Sequence, residues 1–295
     1  MKKTAILGAV LLLAGLLAAL VGFALSDGDL TVVNGKVGPF SVDVGNRHQV
    51  VGFGSTGKAE KWEERVPSTN SESVSYDYDA DEVTIIDVTE SAANIVVEPS
   101  RDGDVHVTVE ESSHRRYTLS CKDGVLRVKS KVSDDVKRIF GSWELAEVRL
   151  AIPAGTTLDV ENDAGSIVVT AVDLLAAELA CDAGNIELSD VKVAGKLVID
   201  CDAGNVELSG VDAGAIRAET DAGNIELDRV GAYGGMNFNC SLGDVSGTLR
   251  GHMDDYAIAS DVDLGENNLP ESTRGGVKLV VEVDCGNIEI EFEED

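Results

Sequence analysis

Residues 177–227 decide the fold of this chain, and they read AELACDAGNIELSDVKVAGKLVIDCDAGNVELSGVDAGAIRAETDAGNIEL. The tetrapeptide DAGN occurs three times here, each time followed by Ile or Val, then Glu and Leu. Aligning the rest of the chain on the glycine of this motif gives marker glycines 19 to 22 residues apart: Gly165, Gly184, Gly204, Gly223, Gly243, Gly265 and Gly286. A fixed period of this length is typical of repeat architectures, in which each repeat is one structural unit.

The residues around each marker glycine alternate between apolar and polar. Apolar side chains stand five residues before the glycine, as Val160, Leu179, Ile199, Ala218 and Phe238, and two after it, as Ile167, Ile186, Val206, Ile225 and Val245. A period of two indicates strands with one buried face. One such unit cannot bury its face alone, but stacked units share a continuous core. The pattern predicts an all-β fold, a single right-handed parallel β-helix or solenoid with coils of about 19–22 residues.

The solenoid is predicted to span residues 76–295, with clear repeats in 156–295. Alternating segments upstream also read as strands, and a degenerate copy of the repeat, SAANIVVE, centres on Ala93. Residues 53–75 are polar and weakly patterned, and residues 27–75 are predicted to be a linker and an irregular segment leading into the solenoid. In the final coil, acidic residues flank Ile290 and Phe292, where charge would discourage end-to-end polymerisation.

The N-terminus carries a membrane signal. Lys2 and Lys3 precede an uncharged apolar run at residues 5–25, about long enough to cross a bilayer. We therefore predict that residues 1–26 are a signal-anchor containing one N-terminal transmembrane helix, with the C-terminal domain outside the cytoplasm. The alternative is cleavage near Ser26 and secretion.

Composition and charge narrow the classes of partner. Hydrophobic residues make up 43% of the chain but aromatics only 4%, with 31 glycines, which suits thin stacked layers. The formal net charge is −29, a field that repels nucleic acid and favours cations or basic partners. We expect no nucleic-acid partner.

Three segments together resemble a known family. They are VRLAIPAGTTLDVENDAGSIVV from Val148, the serial DAGNIEL coils, and GGVKLVVEVDCGNIEIEF from Gly275. This set resembles a bacterial family of adhesin-like β-solenoids without an established activity, over about residues 76–295. The resemblance implies a cell-envelope role, often behind one N-terminal membrane segment, and it carries over no catalytic residue. Relatives commonly have STGD where this chain has DAGN.

Acidic and amide side chains recur at fixed offsets from the marker glycine. Carboxylate and amide oxygens suit calcium, which takes 6–8 oxygen ligands and tolerates irregular geometry. The candidate metal ligands are Asp182, Asn185, Asp202, Asn205, Asp221 and Asn224. The alternative for these residues is an Asx turn with an Asn ladder and a solvated acidic edge. We expect no other cofactor.

Three cysteines, Cys181, Cys201 and Cys240, share the offset three residues before the glycine, on the inferred inward face. They are predicted to be small core residues. A disulfide between Cys181 and Cys201 is the alternative, because neighbouring coils would place them within bonding range. The four histidines fall in no zinc-ligand spacing.

The acids recur in every coil, as structural columns do, whereas a catalytic pair would break the repeat. We therefore expect no enzymatic activity, and we predict a cell-envelope scaffold or adhesin-like module whose acidic surface is used with the help of cations. Its expected partner is an envelope protein or a cell-wall polymer. The alternatives are an accessory sensor in envelope-stress signalling and a carbohydrate-active β-helix enzyme.

Overall fold

The structure of the protein is a computed structural model. It describes residues 33–37, 40–45, 48–49, 72–112, 115–132 and 145–293. The chain divides into two compact units. The first, residues 1–67 and 134–143, contains an antiparallel sheet of β1 (Val33–Val37), β2 (Phe40–Gly45) and β3 (His48–Gln49). These strands fall within the 27–75 segment for which the sequence indicated no regular structure, and the bounds of that segment stay a prediction.

The predicted transmembrane segment, residues 5–25, lies outside the described residues. Within the described parts of the chain, no helix combines the length and the apolar character that crossing a bilayer requires.

The second unit, residues 68–133 and 144–295, is all-β, and its one described helical element is a 3-10 turn at Met253–Asp255. Its strands form two ladders. The first ladder runs, in spatial order, through β4 (Glu72–Tyr78), β7 (Val105–Glu111), β10 (Ala146–Ile152), β6 (Ala93–Pro99), β12 (Ile167–Thr170), β14 (Ile186–Ser189), β16 (Val206–Ser209), β18 (Ile225–Ala232), β20 (Val245–Arg250) and β23 (Ile288–Glu293).

The second ladder runs through β8 (Arg115–Lys122), β9 (Val125–Val132), β5 (Ile85–Glu90), β11 (Thr156–Asn162), β13 (Asp173–Ala183), β15 (Lys192–Ala203), β17 (Asp212–Ala222), β19 (Met236–Leu242), β22 (Val277–Cys285) and β21 (Tyr256–Leu264). From β6 and β5 onward, all pairings within the two ladders are parallel. The all-β, solenoid-like architecture predicted from the repeat is confirmed.

Register explains how the repeat builds the core. Leu179, Ile199 and Ala218 are direct partners on β13, β15 and β17, and all three are buried. Each coil therefore covers the apolar face of its neighbour with residues from the same sequence offset. The handedness of the coiling stays a prediction.

The stack does not follow chain order at its C-terminal end. β22 lies between β19 and β21, so the coil of Gly286 stacks on that of Gly243, and the coil of Gly265 stacks outside it. The final coil in sequence is thus not the end of the second ladder. Along the outer edge of β23, the side-chain amide of Asn268 donates to Ile290 O at 3.0 Å, and its Oδ1 accepts from Ile290 N at 3.0 Å. Asn268 thereby satisfies backbone groups that an edge strand would leave free.

The opposite end departs from parallel stacking. β4 pairs antiparallel with β7, and β8 pairs antiparallel with β9. Glu90 at the end of β5 is buried here, and burial raises its pKa more than the nearby Ser130 and Arg115 lower it.

Candidate functional site

The marker glycines stack at one corner of the solenoid. A Cβ added to Gly204 would lie 1.9 Å from the carbonyl oxygen of Gly184, and one added to Gly223 would lie 1.9 Å from that of Gly204. Real Cβ atoms do not approach a backbone oxygen so closely, so this corner accepts only glycine. The close approach sets the spacing of every side chain that flanks it.

The asparagine after the glycine forms a ladder between coils. The backbone N–H of Asn205 donates to Asn185 Oδ1 at 3.0 Å, and that of Asn224 donates to Asn205 Oδ1 at 3.0 Å. Asp244 continues the series, since its N–H donates to Asn224 Oδ1 at 3.0 Å. The amide oxygens proposed as metal ligands therefore already serve as hydrogen-bond acceptors within the fold.

Asp182, Asp202 and Asp221, here called the Asp column, project from the same corner and are exposed. They are flanked by the direct partners Cys181–Cys201 and Ala183–Ala203, so their carboxylates stand one coil apart. Desolvation raises the pKa of Asp202, and the neighbouring carboxylates of Asp182 and Asp221 raise it further.

A second acidic series lies on the first ladder. Glu187, Glu207 and Glu226, here called the Glu column, are direct register partners on β14, β16 and β18. Partial burial raises the pKa of Glu207, and the charges of Glu187 and Glu226 add to that rise. The fold thus holds carboxylates of like charge in register within two parallel series.

The six predicted metal-site residues therefore separate into two sets. The carboxylates of the Asp column are exposed and repel one another, whereas the Asn side-chain oxygens accept hydrogen bonds from backbone amides. In the part of the chain that the structure describes, no three or more His, Cys, Asp or Glu side chains are grouped to hold a metal ion. Calcium binding stays a prediction, and the Asp carboxylates are the groups left to make it.

Comparison with known proteins identifies the family. The sequence profile of the Toastrack DUF4097 family matches residues 83–295, well over half of the chain. The chain belongs to the Toastrack DUF4097 family. The resemblance drawn from the DAGN coils is thereby confirmed.

Solved structures that are similar to this chain share little sequence with it. A candidate adhesin from Bacteroides fragilis has 14% identity and a TM-score of 0.45, covering 75% of this chain and 97% of its own. A candidate cell-adhesion protein from Clostridium sporogenes has 10% identity and a TM-score of 0.41, covering 76% and 100%. A candidate lipid-binding protein from Parabacteroides distasonis has 14% identity and a TM-score of 0.40, covering 77% and 97%. No curated protein matches the chain.

The buried cysteines of this Toastrack domain serve as hydrogen-bond donors. The thiols of Cys181, Cys201 and Cys240 donate to the carbonyl oxygens of Gly165, Gly184 and Gly223 at 3.2, 3.3 and 3.2 Å. Thr220 occupies the same column, and its hydroxyl donates to Gly204 O at 3.1 Å.

All five cysteines are free, so the structure holds no disulfide between Cys181 and Cys201. Burial raises the pKa of the Cys201 thiol to about 12, which keeps it protonated and able to donate. The repeat pattern predicts these side chains in the core, but it does not reveal their donor role, for which the threonine in the series is the one sequence signal.

One charged cluster in the Toastrack domain had no sequence signal. His106 on β7 lies between Asp77 on β4, at 2.7 Å from Nδ1, and Asp102, at 2.9 Å from Nε2. Hydrogen bonds to Asp77 and Asp102 raise the pKa of His106 to about 9. The antiparallel pairing of β4 with β7 creates the cluster, and the repeat pattern does not encode that pairing.

Proposed function

We propose that this Toastrack chain is a non-enzymatic scaffold or adhesin-like module of the cell envelope, which presents a repetitive acidic surface to its partner. The observation that carries the proposal is the pair of in-register carboxylate series, the Asp column and the Glu column, within a chain of net charge −29. The partner would be an envelope protein or a cell-wall polymer, and residues 5–25 would hold the domain at the membrane, outside the cytoplasm.

Electrostatics supports the use of these columns for binding. Two like charges about 4.8 Å apart repel by ~1 kcal/mol even at the dielectric constant of water. Partial burial raises the pKa values of Asp202 and Glu207, and this repulsion raises them further. A cation or a basic partner that approaches the columns relieves the repulsion, so binding is favoured wherever the carboxylates are stacked.

Cation-assisted binding would use the Asp column. The Asn185 and Asn205 oxygens accept backbone hydrogen bonds, whereas the carboxylates of Asp182, Asp202 and Asp221 are exposed. Calcium bridging successive carboxylates, with water completing its shell, fits this arrangement.

The repetition of the acids supports a binding role over catalysis. An acid–base pair needs two groups whose surroundings push their pKa values apart. The pKa values of Asp202 in one column and Glu207 in the other are both raised, and by the same causes.

Co-sedimentation of the purified full chain, in detergent, with bacterial cell-wall fragments tests the proposal. Triple Asp→Asn replacement of the Asp column should lower the bound fraction, and added salt should lower binding of the unchanged chain. The matched control is Asp79→Asn, Asp81→Asn and Asp123→Asn, which removes the same charge from exposed positions outside both columns. Equal loss in the two triple variants would show that net charge alone matters, and no binding to the fragments would contradict a cell-wall partner.

A further inference from the structure

A groove of about 640 Å³ opens near the C-terminal end of the solenoid, between the end of β18, the end of β20 and the chain segment leading into β22. Its lining includes Tyr233, the ion pair of Asp212 with Arg250, and the 3-10 turn residues Asp254 and Asp255. Its volume lies in the range of small-ligand sites, roughly 300–1,000 Å³.

Tyr233 presents an aromatic ring at the rim of this groove. It is 83% exposed, the most exposed large hydrophobic side chain in the described residues. Its backbone is fixed, because the N–H of Tyr233 donates to Ala213 O at 3.2 Å and that of Gly234 donates to Gly214 O at 2.6 Å. An exposed aromatic ring on this anchored backbone offers a flat π face, which attracts cations and polarised C–H groups.

The groove keeps a net negative charge after the ion pair of Arg250 with Asp212 is counted. Arg250 is occupied, since its Nη1 lies 2.6 Å from Asp212 Oδ2 and its Nε donates to Arg229 O at 2.9 Å. Of the three lining carboxylates, this leaves Asp254 and Asp255 outside that ion pair. Asp255 Oδ2 accepts from His252 N at 3.0 Å, and Asp254 Oδ2 lies 3.5 Å from His252 Nδ1 while its side chain is 87% exposed. Both can form charge-assisted hydrogen bonds to an ammonium group.

We propose that this groove binds a 2-amino sugar unit of an envelope polysaccharide. The apolar face of the pyranose ring stacks on Tyr233, and the ammonium group points to Asp254 and Asp255. A sugar ring that has an apolar C–H face and an ammonium substituent matches both features of the groove, whereas a neutral sugar matches only the aromatic ring. None of the Asp- or Glu-column residues lines the groove, so the site itself does not depend on the columns. The envelope source of the sugar rests on the cell-envelope role proposed above.

Gly276 is a position at which a larger side chain can be introduced to obstruct the groove. A Cβ at Gly276, one of the lining residues, would meet no atom within 4 Å. A leucine at this position would therefore add bulk to the groove lining without a collision at its Cβ. The hydrogen bond from Gly276 N to Asp255 O, 2.9 Å long, uses only backbone atoms and would survive the change.

Calorimetric titration of the full chain, in detergent, with a glucosamine tetrasaccharide and with its fully N-acetylated counterpart tests the proposal. We expect the amine form to bind at least about tenfold more tightly than the acetylated form, because acetylation removes the charge. Tyr233→Ala should weaken binding by about tenfold, while Tyr233→Phe keeps the ring and should stay within about threefold. Gly276→Leu should abolish binding.

Asp81→Asn is the matched control, because it removes one exposed charge outside the groove and outside both carboxylate columns. If Tyr233→Ala and Gly276→Leu bind like the unchanged chain, or if Asp81→Asn weakens binding as much as they do, the sugar binds diffusely to acidic surface and the proposal is overturned. Equal binding of both tetrasaccharides would overturn the role of the ammonium group, and no binding of either would overturn the site. Unfolding midpoints of each variant show whether a loss of binding reflects a loss of fold.

Discussion

The Oδ1 atom of Asn205 accepts a hydrogen bond of 3.0 Å from the backbone N–H of Asn224, one coil further along the solenoid. At the same corner, the thiol of Cys201 donates to the carbonyl oxygen of Gly184. Side chains thus pair a backbone donor and a backbone acceptor where the chain turns between its two ladders. The Asn of the DAGN motif and the Cys or Thr before the motif form hydrogen bonds to backbone N–H and C=O groups of neighbouring coils. The acidic columns lie beside these hydrogen bonds.

Asn205→Leu should lower the free energy of unfolding by about 1–3 kcal/mol, since it removes the acceptor for the N–H of Asn224. Asn205→Asp keeps that acceptor, as Asp244 does for the N–H of Asn287 at 2.7 Å, and should cost less. Denaturant unfolding of both variants measures the difference. Equal destabilisation would mean that the ladder contributes nothing beyond side-chain volume.

Gly204→Ala should destabilise the fold by about 3 kcal/mol or more, because the new Cβ would lie 1.9 Å from Gly184 O and both coils would have to separate. Gly276→Ala is the control, since its Cβ meets nothing within 4 Å and its effect should stay below about 1 kcal/mol. Thermal unfolding of the two variants compares them, and a small effect at Gly204 would argue against close stacking of the coils.

Cys201→Val and Cys201→Thr have nearly the same shape and differ in a hydroxyl donor. Threonine can donate to Gly184 O as Thr220 donates to Gly204 O, whereas valine leaves that carbonyl without this partner. We expect the valine variant to be less stable than the threonine variant by about 1 kcal/mol. If valine proves equal or better, the cysteine column is an apolar filler and the thiol hydrogen bonds are unimportant.

His106 should titrate near its raised pKa of about 9, against an ordinary value of 6.5. The folded state binds the proton more tightly than the unfolded chain does. The resulting stability is therefore complete below pH ~6.5 and is lost as pH rises through about 9. An NMR titration of the imidazole measures this pKa, and Asp102→Asn should lower it. Titration near 6.5 in the unchanged chain would show that Asp77 and Asp102 do not hold the ring.

The repeat predicted much of the fold because each apolar column meets itself in the next coil, as Leu179 meets Ile199. It could not predict the exchanged order of the last two coils, since Gly265 and Gly286 carry the same motif and either can stack on Gly243. Likewise, the contact between His106 and Asp77 depends on an antiparallel pairing outside the repeat. For the candidate site, sequence placed the acids in columns, but only the hydrogen bonds reveal that the Asn oxygens are already engaged.

If the carboxylate columns are the functional surface and act through bound cations, calcium must bind the folded chain. Thermal unfolding of the full chain in millimolar calcium, in EDTA, and in sodium of matched ionic strength measures this binding. A ligand that binds only the folded state raises the midpoint by mass action. We expect a higher midpoint in calcium than in the other two buffers, and loss of that rise in the double variant Asp202→Asn plus Asp221→Asn. Equal midpoints in all three buffers would contradict this expectation.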